Sequence, residues 1–225
     1  MNDQEKRAEA RERRGECERA TAETAVRVAV HLDRPEPVEL STPLPFLTHM
    51  LDQLARHGEF GLELTARFTG EPLAHHLAED AGMALGRAID QALGDRSGVT
   101  RFGWAVVPMD ESLAEAAVDL SGRGGFYGRV DFSSAATAGF EAADGVEFLR
   151  ALAVNARLTL HLDLKRGGNA HHELEACHKA LAVALRQAFA PAMSPAGAGG
   201  GSAAGGSAAG GSAGGASVPS TKGVL

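Results

Sequence analysis

Sliding the sequence along itself by 96 residues superposes residues 62–93 on residues 158–189 without a gap, and 11 of the 32 aligned positions are identical. The identities include Leu62 with Leu158, Leu64 with Leu160, the pair His75-His76 with His171-His172, and Glu79 with Glu175. In the first copy, Leu62, Leu64, Ala66 and Phe68 alternate as a strand, and residues 75–93 follow with helical spacing closed by Gly94. A strand-helix unit of this size cannot bury its apolar side alone, so a chain carrying two copies is expected to pack them face to face. Shared Ala and Leu can arise by chance. A shared HHxxE at two matching helix starts is much harder to obtain that way.

The rest of the chain fills out two similar halves, about 15–100 and 101–193. Residues 16–32 alternate with Val26, Val28 and Val30 on one face, and Pro35 and Pro37 mark a turn. A short helix is expected over 46–57. Strand material follows over 106–120, broken by PMDES, then another strand after the glycines of SGRGGFYG, a helix around 146–156, a strand over 158–164 and a long helix over 170–189. The expected fold class is therefore α+β, with each half a mixed β-sheet packed on helices. Residues 1–14 form a charged extension, expected to be flexible. Residues 194–217 are Gly, Ala or Ser except for Pro195, a composition with too little apolar surface to offset its ordering entropy. As a random coil, 22 such residues span roughly 25 Å, enough to carry the closing VPSTKGVL (218–225) far across a small domain.

Hydrophobic residues at 44% and charged ones at 23% suit a chain with a core, while the net charge of −7 lacks the basic footprint of a nucleic-acid binder. No run of 18 apolar residues appears, and the charged N-terminus has no apolar stretch of a secretory signal, so the expected location is the cytoplasm with no membrane partner. Cys17 and Cys177 are too few for a disulfide framework or a thiolate zinc site.

Nine histidines in a chain with one Trp and one Tyr are a pointed excess. On a helix His75 and Glu79 share a face and can hold one ion, whereas His76 lies about 100° further round and points to another. The same holds for His171 with Glu175, and for His172. Reciprocal pairing of the helices gives one ion held by His75, Glu79 and His172, and a second held by His171, Glu175 and His76. Imidazole with carboxylate suits a divalent transition metal that keeps open positions for water or substrate. The zinc-hydrolase patterns HExxH and HxxEH fail, because Ala176 stands where a His is required after His172 and Asp80 and Ala176 follow the two glutamates. The ExxH order of ferritin-like sites, the glycine-rich nucleotide loops and GxSxG are absent too.

Taken together, RATAETAV, FLTHMLDQLARHG, HHLAEDAGMALGRAIDQALGDRSGVTRFG, PMDESLAEAAVDLSGR, LTLHLDLKRGGNAHHELEACHKALAVALRQA and PSTKGVL resemble the imidazoleglycerol-phosphate dehydratases of histidine biosynthesis, in family order from Arg19 to Leu225. The resemblance implies a fold like domain 2 of ribosomal protein S5, duplicated, and a 24-subunit shell with two manganese ions (Mn2+) per active site at subunit interfaces. It implies as metal ligands His49, His75, His76, Glu79, His161, His171, His172 and Glu175. Thr65 stands opposite His161 in the duplication, so the two halves fill their metals unequally.

The implied reaction is loss of water from imidazole glycerol phosphate to give imidazole acetol phosphate. Its obstacle is an unactivated C–H bond beside the ring, overcome in the family by metal coordination of the ring nitrogens, which stabilises an imidazolate and a diazafulvene-like intermediate. Glu23 is implied as acid/base, with His49, His75, Glu79, His171 and Glu175 in the catalytic centre. Gln53, His57, Arg101, Arg123, Lys179, Ser220 and Lys222 are implied around the phosphate substrate, where Arg offers a bidentate grip and Lys a point charge.

Some positions depart from the family pattern. TPLPFLTHML replaces TGIGFLDHML, placing Pro43, Pro45 and Thr48 where two glycines and an acid are usual, and Leu73-Ala74 replaces an acidic pair before the first HH. Fixing φ near −65° is expected to reroute that loop, and losing carboxylates that orient ligands costs roughly 10- to 100-fold in metal affinity or activity. Two other readings predict different behaviour: a catalytically weak homologue that keeps its metals for assembly, and a metal-storage or sensing shell with no turnover.

Overall fold

The computed structural model describes residues 12–192. The expectations for residues 1–11, for the Gly/Ala/Ser tract, and for Ser220 and Lys222 lie outside the described residues. Arg13 and Arg14, read above as part of the extension, belong to the fold: Arg13 Nε donates to Asp33 Oδ1 at 2.8 Å, and Arg14 opens the first strand.

The first half runs β1 (Arg14–Ala20), β2 (Thr24–His31), β3 (Val38–Ser41), α1 (Pro45–Gly58), β4 (Gly61–Phe68) and α2 (Ala74–Leu93). The second repeats that order as β5 (Phe102–Met109), β6 (Ser112–Asp119), β7 (Gly125–Arg129), α3 (Ala142–Asn155), β10 (Thr159–Arg166) and α4 (Ala170–Phe189), with a small hairpin of β8 (Ala136–Thr137) and β9 (Phe140–Glu141) inserted. The strand orders are β1-β2-β4-β3 and β5-β6-β10-β7, so the sheets are topological copies. In each, two hairpin strands run antiparallel, while the last strand pairs in parallel with the edge strand that precedes it across a helix. A parallel pair needs such a crossover, and α1 and α3 supply it.

The region read as one alternating stretch, 16–32, is two strands folded back at Thr21–Glu23, because Thr21 accepts the backbone N–H of Glu23 and Thr24 on its hydroxyl. Elsewhere the expected strands and helices fall within a few residues of their places. α1 begins on Pro45, whose missing N–H is one of those without an intrahelical partner in any case. Pro45 therefore does not disturb the helix that carries His49.

The layers stack as sheet, helix, helix, sheet. Helix α2 lies on β1 and β2 and packs across the middle on α3; α4 lies on β5 and β6 and packs on α1. The inward side chains of both sheets and all four helices, among them Val28, Leu64, Leu85, Phe148, Leu160 and Leu181, form one buried cluster. Two equivalent glycines permit the close approach of strand and helix: a Cβ on Gly15 would run into the Ala88 carbonyl of α2, and one on Gly103 into the Ala184 carbonyl of α4.

The outer faces differ. That of the first sheet is charged, with Arg14, Glu16, Glu18, Arg27, Glu39 and Glu63 gathered on it. That of the second exposes Trp104 (66%), Phe102 (57%) and Tyr127 (59%). A row across it reads Trp104, Ala117, His161, Tyr127, in register.

Candidate active site

Each HHxxE helix start receives partners from two directions. The second histidine of each meets the hairpin turn of its own half, and the first meets the first helix of the opposite half.

At α4 the arrangement is tight. Asn169 caps the helix, its side chain accepting from His171 N at 2.9 Å. His171 Nε2 and, from α1, His49 Nε2 each stand 3.2 Å from Glu175 Oε2. Lys179 Nζ lies 2.6 Å from Glu175 Oε1. Burial works to raise the Glu175 carboxyl, but the hydrogen bonds from Lys179 and His49 outweigh it and hold the group below its ordinary value. His49, His171 and Glu175 bring three donor atoms within 4.8 Å of one another.

His172 turns the other way. Its Nδ1 is 3.1 and 3.2 Å from the two carboxylate oxygens of Glu111, and its Nε2 is 3.8 Å from Asp110 Oδ2. Both acids occupy the two-residue turn between β5 and β6, and they form with His172 the other such cluster among the described residues. Helix α4 is anchored by buried Glu173, which accepts from Ser133 N at 2.9 Å and Gly168 N at 2.6 Å.

At α2 the same motif is looser. Leu73 stands at the cap position and makes no side-chain bond. His75 Nδ1 is 3.0 Å from Asp144 Oδ1 in the first turn of α3. His76 Nδ1 lies 2.7 Å from Glu23 Oε2, outside the angular range of a hydrogen bond, and this buried atom has no other partner. Asp80, next to Glu79, binds Arg19 Nε at 2.5 Å and also the Thr24 hydroxyl, tying the turn that carries Glu23 to this helix. Glu79 makes no hydrogen bond or ion pair among the described residues.

The reciprocal pairing expected from spacing is not formed within one chain. α2 and α4 each pack on a helix of the opposite half, His76 approaches Glu23, and His172 is held by Glu111. His161 is separate from all of these, stacked on Tyr127 with ring centroids 5.0 Å apart on the outer face of the second sheet.

The expected substrate residues divide as well. Gln53 and His57 lie on α1 one and two turns beyond His49, with His57 Nε2 at 3.1 Å from Gln53 Oε1. Burial first, then the nearby Lys179 charge, lowers the His57 pKa. Lys179 reaches toward Met109 at the end of β5. Arg101 and Arg123 are at the other end of the same sheet, at the start of β5 and before β7. The Asp119 hydrogen bond holds Arg101 above its usual value, with Nε 2.7 Å from Asp119 Oδ1. Eight-residue strands separate the two groups by roughly 25 Å.

Asp110, Glu111 and Asp144 were not singled out by sequence. Their signals were present but ordinary: two acids in a tight turn, and one acid in a helix first turn, where the helix dipole favours it.

Residues 42–185 match the family described as imidazoleglycerol-phosphate dehydratase. The chain is 41% identical over 213 residues to the imidazoleglycerol-phosphate dehydratase of Ralstonia nicotianae, covering 95% of this chain and 99% of that one, and 42% identical over 213 residues to that of Acidithiobacillus ferrooxidans. It belongs to the imidazoleglycerol-phosphate dehydratase family. Among solved structures, the dehydratase of Staphylococcus aureus superposes with a TM-score of 0.71 at 34% identity, covering 80% of this chain and 99% of that one. That of Pyrococcus furiosus gives 0.73 at 33%, covering 92% and 99%. The family is one of hydro-lyases of histidine biosynthesis, and the duplicated sheet-helix halves described above are its fold.

The residues present fit a divalent metal. The donors are imidazoles and carboxylates, His49, His171 and Glu175 converge, and the buried His76 Nδ1 has no hydrogen-bond partner. No helix among the described residues is long and apolar enough to cross a membrane.

Proposed function

We propose that the chain dehydrates imidazole glycerol phosphate to imidazole acetol phosphate in the cytoplasm, as one subunit of a 24-subunit shell with two manganese ions per active site. The observation that carries this reading is the convergence of His49, from one half, on His171 and Glu175, from the other.

His49, His171 and Glu175 hold one ion in this reading, and His75, His76, Glu79, His161 and His172 complete the two sites. Bound there, manganese supplies Lewis-acid stabilisation of the negative charge that builds on the substrate ring as the neighbouring carbon loses its proton. Glu23, half exposed on its turn, takes that proton and delivers one to the departing hydroxyl oxygen. Arg101, Arg123 and Lys179, with Ser220 and Lys222, hold the phosphate, and Gln53 and His57 line the approach.

Because Arg101 and Lys179 lie at opposite ends of one sheet, and His161 far from the helix starts, a complete site needs residues of neighbouring subunits. The aromatic outer face around His161 offers the apolar patch against which a second copy packs.

Incubating manganese-loaded protein with imidazole glycerol phosphate should yield the ketone product. Glu23→Gln should lower turnover by more than about 100-fold while leaving manganese bound. Light scattering should give the mass of a 24-mer, reduced to smaller particles by Trp104→Glu. Tight manganese binding and full assembly without any ketone would overturn the enzymatic reading in favour of a metal-holding shell.

A further inference from the structure

The two hairpin turns of the duplicated fold make the same approach to the two motif helices. The first brings Glu23 to Nδ1 of His76, the second brings Glu111 to Nδ1 of His172. The turns are copies of each other. Gly15 pairs with Val30, and Val30 with Leu62, as Gly103 pairs with Val118, and Val118 with Leu160; the same 88-residue offset carries the pair Ala20–Ala25 onto Pro108–Leu113 and Glu23 onto Glu111. Each hairpin thus reaches the second histidine of its own half with the equivalent glutamate.

We infer that Glu111 is a positioning residue for His172, fixing the ring so that Nε2 faces outward as a metal ligand. This rests on the reading of His172 as a manganese ligand given above. Glu111 contacts the imidazole with both oxygens, so Nδ1 carries the proton and Nε2 keeps its lone pair free for an ion. The carboxylate is itself fixed. Asp110 takes a positive φ of 49° at the first turn position, and a Cβ at residue 168 would come within 3.0 Å of Glu111 Cγ, so Gly168 leaves the carboxylate its place. Asp144 stands at Nδ1 of His75 in the same manner, 3.0 Å away. Carboxylates behind ligand histidines are thus built into both halves, although the acidic pair usual before the first HH is absent.

The test is manganese titration by calorimetry on the assembled protein, comparing wild type with His172→Ala, Glu111→Ala and Glu111→Gln. Expected are two sites per chain in wild type and one after His172→Ala. Glu111→Ala should weaken one site by about 10- to 100-fold and leave the other unchanged. Glu111→Gln, whose amide oxygen still accepts from Nδ1–H, should recover most of that loss. Thermal unfolding of the metal-free variants should match wild type, since Glu111 is about half exposed. Two full sites after His172→Ala would sink the ligand reading. One lost site after His172→Ala together with wild-type affinities in Glu111→Ala would leave that reading standing and refute the role of Glu111.

Discussion

The helix starts at Ala74 and Ala170 carry the same AHHxxE letters and end up in different physical states. At α4, Asn169 caps the helix and Glu175 is gripped by His49, His171 and Lys179. At α2, Leu73 caps nothing, and Glu79 faces no partner among the described residues. Much of the reason lies across the interface between the halves. His49 is the fifth residue of α1, and the fifth residue of the equivalent α3 is Val146. Lys179 likewise stands where α2 has Met83. The two copies share their donors and differ in the residues around them, His49 across the interface and Lys179 on the same helix, and these close the second copy into a cluster.

The sharpest way to break this contrast is to remove each glutamate in turn. Glu175→Ala leaves Lys179, itself only 17% exposed, and two imidazoles without their anion, a loss of about 3–5 kcal/mol for a buried pair broken on one side. Glu79→Ala removes a group with no partner among the described residues and should stay within about 0.5 kcal/mol. Urea unfolding of the metal-free protein measures both. Equal losses would mean that the asymmetry between the two starts has no energetic content.

His178 adds a second asymmetry: its counterpart 96 residues earlier is Gly82, where a Cβ would run into the Phe148 carbonyl, while the His178 ring stacks on the Phe148 ring. The ring of His178 is buried against Phe148, with Nδ1 2.7 Å from the Leu174 carbonyl and Nε2 without a partner. Burial pushes its pKa from 6.5 to about 4; the Leu174 carbonyl and Glu175 oppose the shift and His49 adds to it. The folded state therefore resists a proton that the unfolded chain accepts below pH 6.5. Stability is retained above that value, falls as the pH drops from 6.5 toward 4, and this contribution levels off below 4. The total is about 3 kcal/mol. His178→Phe should abolish that part of the slope in urea midpoints taken between pH 7 and 4.5. An unchanged slope would assign the acid sensitivity to other groups.

What could be read from sequence followed from short-range periodicity. β4 with α2 and β10 with α4 were legible because alternation switches to helical spacing at the motif itself, and the 96-residue offset already implied two matching halves. The neighbours of each histidine were not legible. That Glu111 belongs to His172 depends on where a hairpin turn ends, and that His49 belongs to Glu175 depends on how α1 crosses α4. Both are tertiary facts with no local signature. The strand break at Thr21–Glu23 escaped for a related reason: both strands alternate, and only the hydroxyl of Thr21, accepting from the amides of Glu23 and Thr24, reveals the fold-back. The separation of Arg101 from Lys179 came from sheet direction, which spacing does not encode.

The smallest of the expected effects isolates the cap. Leu73 and Asn169 occupy the same place in the repeat, before Ala74 and Ala170. Both have extended backbone, with φ of −105° and −144°, so the backbone at 73 already has a conformation that suits a capping side chain. Leu73 is 40% exposed, so exchanging it removes little buried apolar surface. Leu73→Asn should therefore stabilise the metal-free protein by about 1 kcal/mol, and Asn169→Leu should cost a similar amount. The double exchange Leu73→Asn with Asn169→Leu transfers the cap from one copy to the other. Since the two helix starts share no partner, the single changes should add within about 0.5 kcal/mol, and the net shift in the urea midpoint should be near zero. A large residual would show that the Asn169 cap is coupled to the His49–Glu175 cluster one turn further along, so that the closed state of the second start is held by its cap as well as by its ion pairs.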